Sequence, residues 1–141
     1  MASVIDAKLR LAAQGRTCMD AITMTKTAVV LLAIAALGGL TMAVIRFMGA
    51  DRPPSFITMA HGLLAGAALT LLIYAWATVG LPVLAKAAVV VFVVVALVGA
   101  WLNLNFHSKL LPLPKGVIVV HGVVAVIAFV MLLLALQAPS G

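Results

Sequence analysis

The chain has 141 residues, of which 66% are hydrophobic and 9% charged, and its mean hydropathy is +1.32. A soluble domain averages about 45–50% apolar and about 25% charged residues, and a water-soluble monomer of this size cannot hide so much apolar surface. The composition therefore excludes an ordinary soluble enzyme, and the single cysteine, Cys18, excludes a disulfide scaffold. The net charge of +6 is spread along the chain, so we expect no nucleic-acid partner.

The first 25 residues form a basic lead that differs from the rest of the chain. They contain five charged side chains and no long apolar stretch before Met24, so a removable signal peptide is not expected. Ile5, Leu9 and Ala12 recur at helical spacing, which is typical of a short amphipathic helix on a membrane surface. A frayed tail is the alternative interpretation.

Four apolar segments follow, each long enough to cross a hydrocarbon core of about 30 Å. They cover residues 27–48, 55–78, 85–106 and 115–137, and none contains an internal carboxylate. Pro, Gly and charged residues mark the short connections. Alternating apolar and polar residues are absent, so the pattern does not favour a β-barrel. Short connections force neighbouring helices to run antiparallel, which predicts an all-α membrane protein with an up-down-up-down four-helix bundle.

The distribution of basic residues gives a prediction for orientation. Five lie on the side of the two termini, and four lie on the opposite side: Lys8, Arg10, Arg16, Lys26 and Lys86 against Arg46, Arg52, Lys109 and Lys115. By the positive-inside rule we expect the termini in the cytoplasm. The chain is then predicted to be an integral protein of a bacterial cytoplasmic membrane.

The chain contains an internal repeat. A shift of 60 residues aligns residues 26–80 with residues 86–140 without a gap, and 14 of the 53 pairs from residues 26–78 are identical. Matches of Ala, Val and Leu are common by chance here, but matches of scarce residues are not. The informative pairs are Lys26/Lys86, Gly39/Gly99, Pro54/Pro114, His61/His121 and Gly62/Gly122. Each copy has two spans, so both enter the membrane in one direction, and a pseudo-two-fold axis along the membrane normal is predicted.

The repeated histidines are the strongest functional signal. His61 and His121 each follow a proline by seven residues, so both lie roughly 8–10 Å inside helices that start on the same side. In a bundle with sequential neighbours these helices are diagonal, and the two imidazoles are predicted to approach each other across the centre. A pair of facing imidazoles suits axial ligation of a haem iron. No CxxCH motif is present, so the expected cofactor is non-covalent haem b.

Glycines and cations fit the same hypothesis. Gly39 and Gly99 are level with the histidines, where a missing side chain leaves room for the macrocycle. Gly62 and Gly122 follow the histidines directly and are predicted to let the ring approach the backbone. Four cations at the rim are candidate partners of the haem propionates: Arg46, Arg52, Lys109 and Lys115. Taken singly, the glycines are typical of close helix packing and the cations of interfacial anchoring.

The architecture resembles small four-helix membrane b-type cytochromes in general. This resemblance implies that the chain is an electron-transfer protein, or a haem-bearing subunit of an oxidoreductase complex, rather than a stand-alone enzyme. Its expected partners are the lipid bilayer and either other subunits of a redox complex or a quinone or cytochrome. Two axial imidazoles leave no open position on the iron, which favours electron transfer over oxygen chemistry.

Two other functions compete with this hypothesis. In a cofactor-free accessory subunit of a larger membrane complex, both histidines would serve only as hydrogen-bonded packing residues. A small proton-driven transporter is less favoured, because no span carries a carboxylate. His107 has no counterpart in the repeat and is expected at the membrane interface, where a role at a haem edge or a quinone site stays open.

Overall fold

The computed structural model describes residues 2–137, except the side chains of residues 2–4, 8, 9, 12–14 and 16–21. It is all-helical in this range, with α1 at Ala2–Phe47, α2 at Ser55–Thr78, α3 at Val83–Leu102 and α4 at Lys115–Gln137. Four helical segments are long and apolar enough to cross a membrane: Ile22–Phe47, Ser55–Thr78, Val83–His107 and Lys115–Gln137. Residues 138–140, at the end of the predicted second repeat, lie outside the described residues, as do the side chains of Leu9, Ala12 and Cys18.

The predicted helix bounds match the structure in α2 and α4 and differ from it in α1 and α3. Helices α2 and α4 begin directly after Pro54 and Pro114, and both have the predicted limits. Proline is compatible with a helix start because the N–H groups of the first turn have no acceptor within the helix, so the N–H that proline lacks is not needed there. Helix α3 differs from the prediction at both ends, because it begins at Val83, directly after Pro82, and gives way after Leu102 to a π-helical turn, Asn103–His107.

The basic lead is continuous with the first span. Helix α1 has 46 residues and is therefore about 70 Å long, more than twice the hydrocarbon thickness. No proline interrupts residues 2–47, and the lead is rich in good helix formers such as Ala, Leu, Lys and Arg. On its exposed surface the Arg10 guanidinium pairs with Asp6 at 3.0 Å, one helical turn away. The helix thus has no break at residue 25.

The four helices form a ring in chain order. Each hairpin packs within itself, α1 on α2 and α3 on α4, and the ring closes through α2 on α3 and α1 on α4. Helices α2 and α4 are therefore diagonal. We call the side with the α1–α2 and α3–α4 connections the loop side, and the side with the two termini the terminal side.

Small residues hold the helices together. The buried stripe of α2 is Ala68, Leu72 and Ala75, which recurs at the close spacing that suits packing between transmembrane helices. Lipid tails are as apolar as leucine, so this contact depends on close approach of the backbones rather than on removal of water. Every described buried residue of α1 and α2 has a buried counterpart 60 residues later. The pairs are Thr25/Ala85, Ala28/Ala88, Leu32/Phe92, Ala35/Val95, Ala68/Ala128, Leu72/Leu132 and Ala75/Ala135.

Polar contacts on the loop side link the two hairpins and stabilise the α1–α2 connection. The Arg46 guanidinium donates from Nε to the Leu113 carbonyl at 2.8 Å and from Nη1 to the Ala50 carbonyl at 3.2 Å. The Leu113 amide in turn donates to the Asp51 carbonyl at 3.2 Å. Gly49 permits the turn after α1 because its φ of +111° is strained for any residue with a Cβ.

The buried leucines test this packing. Leu72 and Leu132 are fully buried, and we expect Leu72→Ala or Leu132→Ala to lower the free energy of unfolding by about 1–2 kcal/mol. This is less than the roughly 2–5 kcal/mol of water-soluble cores, because lipid already solvates the released surface. The measurement is reversible unfolding in mixed detergent micelles. The matched control is Leu63→Ala, whose side chain is 70% exposed and whose loss is expected to change little.

Candidate cofactor site

The structure brings His61 and His121 together across the bundle. Their ring centroids are 6.5 Å apart and the ring planes are inclined by 63°. The rings belong to the diagonal helices α2 and α4, whose backbones do not approach each other within the described residues. The contact between the two imidazoles thus lies at the centre of the four-helix bundle.

The Nδ1 atom of His61 has a clear hydrogen-bond role. It lies 2.7 Å from the Ala35 carbonyl oxygen of α1. A carbonyl oxygen can only accept, so the Nδ1 atom carries the proton and donates it. The neutral ring then has its lone pair on Nε2. A histidine that ligates a metal through Nε2 often donates its other N–H to a backbone carbonyl in this way.

His121 is not fixed in the same way. Its Nδ1 atom is buried and has no hydrogen-bond partner among the described residues. A buried polar nitrogen without a partner is costly, and more so in a membrane, where no water can satisfy it. The unsatisfied atom is therefore a sign that the site has an unmet polar requirement.

Gly39 and Gly99 make room for the imidazoles themselves. A Cβ on Gly39 would lie 3.1 Å from Cε1 of His61, and a Cβ on Gly99 would lie 3.2 Å from Cε1 of His121. These separations are tighter than normal van der Waals contact, so each histidine ring occupies the space that a side chain would take. The glycines stand at the level that the helical rise predicts. Their suggested contact with a macrocycle stays a prediction.

The other two candidate glycines lie on the outer surface. Gly62 and Gly122 are exposed, and a Cβ on either one would meet nothing within 4 Å. The structure does not bring them to the imidazole contact. Their role in letting a ring approach the backbone also stays a prediction.

The four rim cations have different surroundings. Arg46 is engaged by loop carbonyls, Lys109 donates to Asn105 Oδ1 at 3.2 Å, and Lys115 Nζ lies 5.5 Å from the centre of the Phe47 ring. Arg52 differs, because its Nη1 atom is buried and has no partner among the described residues. The structure does not gather these four cations at the histidine pair, so their pairing with propionates stays a prediction.

The packed core lies on the terminal side of the histidine pair. On α2 and α4 all described buried residues follow His61 and His121 in the chain, and on α3 Leu102 is the single described buried residue beyond Gly99. A groove of about 310 Å³ between α1 and α2 also reaches His61 from the outer surface. The bundle is thus close-packed on one side of the imidazoles and looser on the other.

The residues present fit a haem better than a metal ion held by protein alone. Two imidazoles bound to one metal from opposite sides at about 2 Å per nitrogen have ring centroids about 6 Å apart, near the separation found here. Within the part of the chain whose side chains are described, no group of three or more His, Cys, Asp or Glu could hold a metal ion. A porphyrin would supply the four in-plane nitrogens that the chain lacks.

The π-helical turn is a feature that the sequence patterns did not predict. It ends at His107, whose Nε2 atom lies 3.3 Å from Ser55 Oγ at the start of α2. Isolated π-turns occur often at functional sites. The sequence signal for this turn was a pair of asparagines, Asn103 and Asn105, which are unusual inside an apolar span. The chain itself matches no protein-family model, no curated protein and no solved structure.

The close contact of Gly39 with His61 is testable. We expect Gly39→Ala to destabilise the protein by about 1 kcal/mol, because overpacking costs roughly 1–3 kcal/mol and the gain in helix propensity offsets part of it. The ring must move away and weaken its bond to the Ala35 carbonyl. Unfolding in mixed micelles measures the change, and Gly66→Ala, an open helical position, is the control. Equal stability of the two variants would contradict the contact.

Proposed function

We propose that the protein is a membrane b-type cytochrome, or the haem-bearing subunit of a membrane redox complex. The observation that carries the proposal is the contact of His61 with His121 at 6.5 Å across the diagonal of the bundle. We also propose that two copies of one helical hairpin surround the site with pseudo-two-fold symmetry. Buried positions that correspond at a distance of 60 residues support this symmetry.

The chain's own residues would hold and orient the cofactor. His61 would bind through Nε2, since its Nδ1 atom donates to the Ala35 carbonyl, and this bond fixes both the tautomer and the ring orientation. His121 would bind from the opposite side. The apolar helices would exclude water from the site. A bound haem b would supply one-electron chemistry, which no side chain in the spans provides.

Coordination by two imidazoles defines the type of reaction. Two histidine ligands would leave a haem iron no position for oxygen, so electron transfer would be favoured over oxygen binding. The electrons would pass between a quinone pool or a dehydrogenase and another carrier. This role does not need a carboxylate in the membrane, in agreement with the composition of the spans.

A cofactor-free accessory subunit is the second candidate. It is favoured by the fact that His61 already has a protein partner at 2.7 Å and that both rings are in contact without any further group. The apolar outer faces of the helices would then pack against a larger complex. Under this alternative the histidines stabilise the bundle and have no chemical role.

Ligand substitution distinguishes the two candidates. We expect about one haem per chain in the wild type, and loss of most of it in His61→Ala and in His121→Ala, because each removes one axial ligand. His121→Met is expected to keep the haem and raise its potential, because a thioether is also an axial ligand. Absorption spectra and redox titration of the purified variants measure both effects, and circular dichroism checks that each variant is folded.

The third histidine is the control. His107→Ala should keep a haem content and spectrum like those of the wild type, since His107 lies outside the pair. Equal haem content in the His61, His121 and His107 variants would contradict the proposed ligation. A folded His121→Met variant without haem would also contradict the proposed ligation.

The accessory-subunit alternative makes a different prediction for the double variant. If the histidines serve packing alone, the complex isolated with His61→Ala, His121→Ala should retain its subunits and its full redox activity. If they hold a haem, the complex should lose electron transfer even when all subunits are present. Subunit composition by gel and activity of the same preparation separate these outcomes.

A further inference from the structure

A recess with a partly polar lining lies on the loop side, away from the histidine pair. It has a volume of about 450 Å³ and is formed by the α1–α2 connection, the start of α2 and the end of α3. Its polar lining is Arg52, Ser55 and His107, and its apolar wall includes Ile45 and Leu110. The proposed cytochrome function makes no use of His107 or Ser55.

Two buried nitrogens belong to side chains that line this recess, and neither has a hydrogen-bond partner among the described residues. They are Nη1 of Arg52 and Nδ1 of His107. A guanidinium has donors and no acceptor, so the Arg52 atom requires an oxygen to accept its proton. The Nδ1 atom of His107 is a donor when the Ser55 hydroxyl donates to Nε2 of that ring, and an acceptor when Nε2 donates to the hydroxyl. Leaving the Arg52 donor unsatisfied costs free energy, and no described residue accepts a hydrogen bond from it.

The protein does not supply this acceptor. The neighbouring Asp51 is exposed, and Arg52 forms no ion pair among the described side chains. The Arg46 guanidinium is bound to the carbonyls of Leu113 and Ala50. An external group that suits the guanidinium is negatively charged and rich in acceptor oxygens, because arginine recognises oxyanions through paired hydrogen bonds.

The position of the recess indicates the source of the oxyanion. Arg52 and Ser55 lie where the first span ends and the second begins, so the recess is at the level of the membrane–water interface. Lipid phosphates lie at this level and attract basic residues. The apolar wall would contact the adjoining glycerol and acyl region. We propose that the recess binds a phosphate group and that a phospholipid headgroup supplies it.

This proposal does not rest on the proposed function, because none of its residues takes part in the histidine pair. It assigns Arg52 an interfacial phosphate in place of the haem propionate that the sequence suggested. The start of α2 adds a favourable, minor term, since the amino end of a helix attracts negative charge. The main term is the unsatisfied guanidinium donor of Arg52.

Native mass spectrometry of the full chain in detergent tests the site. The probes are phosphatidylglycerol, diacylglycerol without a phosphate, and inorganic phosphate. We expect one tightly bound phosphatidylglycerol per chain and no comparable binding of diacylglycerol. Arg52→Gln should weaken phosphatidylglycerol binding about tenfold or more, because a hydrogen bond to a charged group is removed. Lys109→Gln, a neutralised cation on the same side, should bind like the wild type.

The outcomes distinguish the possible sources. Inorganic phosphate that competes at equal concentration would support the phosphate site and make the free anion its ligand, which would overturn the assignment to a lipid. Equal binding by Arg52→Gln and Lys109→Gln, or equal binding of diacylglycerol, would overturn the site. Thermal unfolding of both variants checks that they are folded. The His61→Ala, His121→Ala variant should keep its phospholipid, and a loss there would contradict a site independent of the histidine pair.

Discussion

The contact between the His61 and His121 rings is the feature around which the rest of the bundle is arranged. In lipid no water can satisfy a polar nitrogen, so two imidazoles at the centre of apolar helices need partners of their own. One ring donates to the Ala35 carbonyl, and the other has a buried Nδ1 atom without a partner among the described residues. Gly39 and Gly99 keep the space beside the rings free of side chains. The two rings and the two glycines therefore lie at one level of the bundle.

Close packing elsewhere makes this arrangement possible. The buried stripes of alanine with a single larger residue, such as Ala68, Leu72 and Ala75, bring the helices together on the terminal side. On the loop side the hairpins are joined through backbone carbonyls and the Arg46 guanidinium instead. The described buried residues lie mainly on the terminal side, and the bundle is looser on the loop side of the imidazoles. We interpret the matching buried positions 60 residues apart as the trace of two similar hairpins.

Much of the fold was predictable from the sequence, because lipid imposes simple rules. Apolar length gave the four spans, and Pro54 and Pro114 gave the starts of α2 and α4. Counting the rise per residue placed Gly39 near His61. The full extent of α1 was not predicted, because an abrupt change in polarity suggested a boundary that no helix breaker enforces. The π-helical turn at Asn103–His107 was not predicted either, since it changes hydrogen bonding without changing hydropathy.

The surroundings of the rim cations were less predictable. Sequence spacing placed all four at one membrane face, but the loop conformation decides what each side chain contacts. Arg46 reaches Leu113, which is 67 residues away, and no local pattern encodes that bond. The buried nitrogen of Arg52 likewise depends on how the α1–α2 connection folds over the end of α3.

The most direct test is the reduced-minus-oxidised absorption spectrum of the wild-type protein, purified from cells with ample haem, together with its haem-to-protein ratio. We predict a low-spin b-type spectrum and about one haem per chain, as expected for two axial imidazoles. A folded, pure protein without a Soret band would contradict the central claim. A high-spin spectrum with an open axial position would contradict it as well.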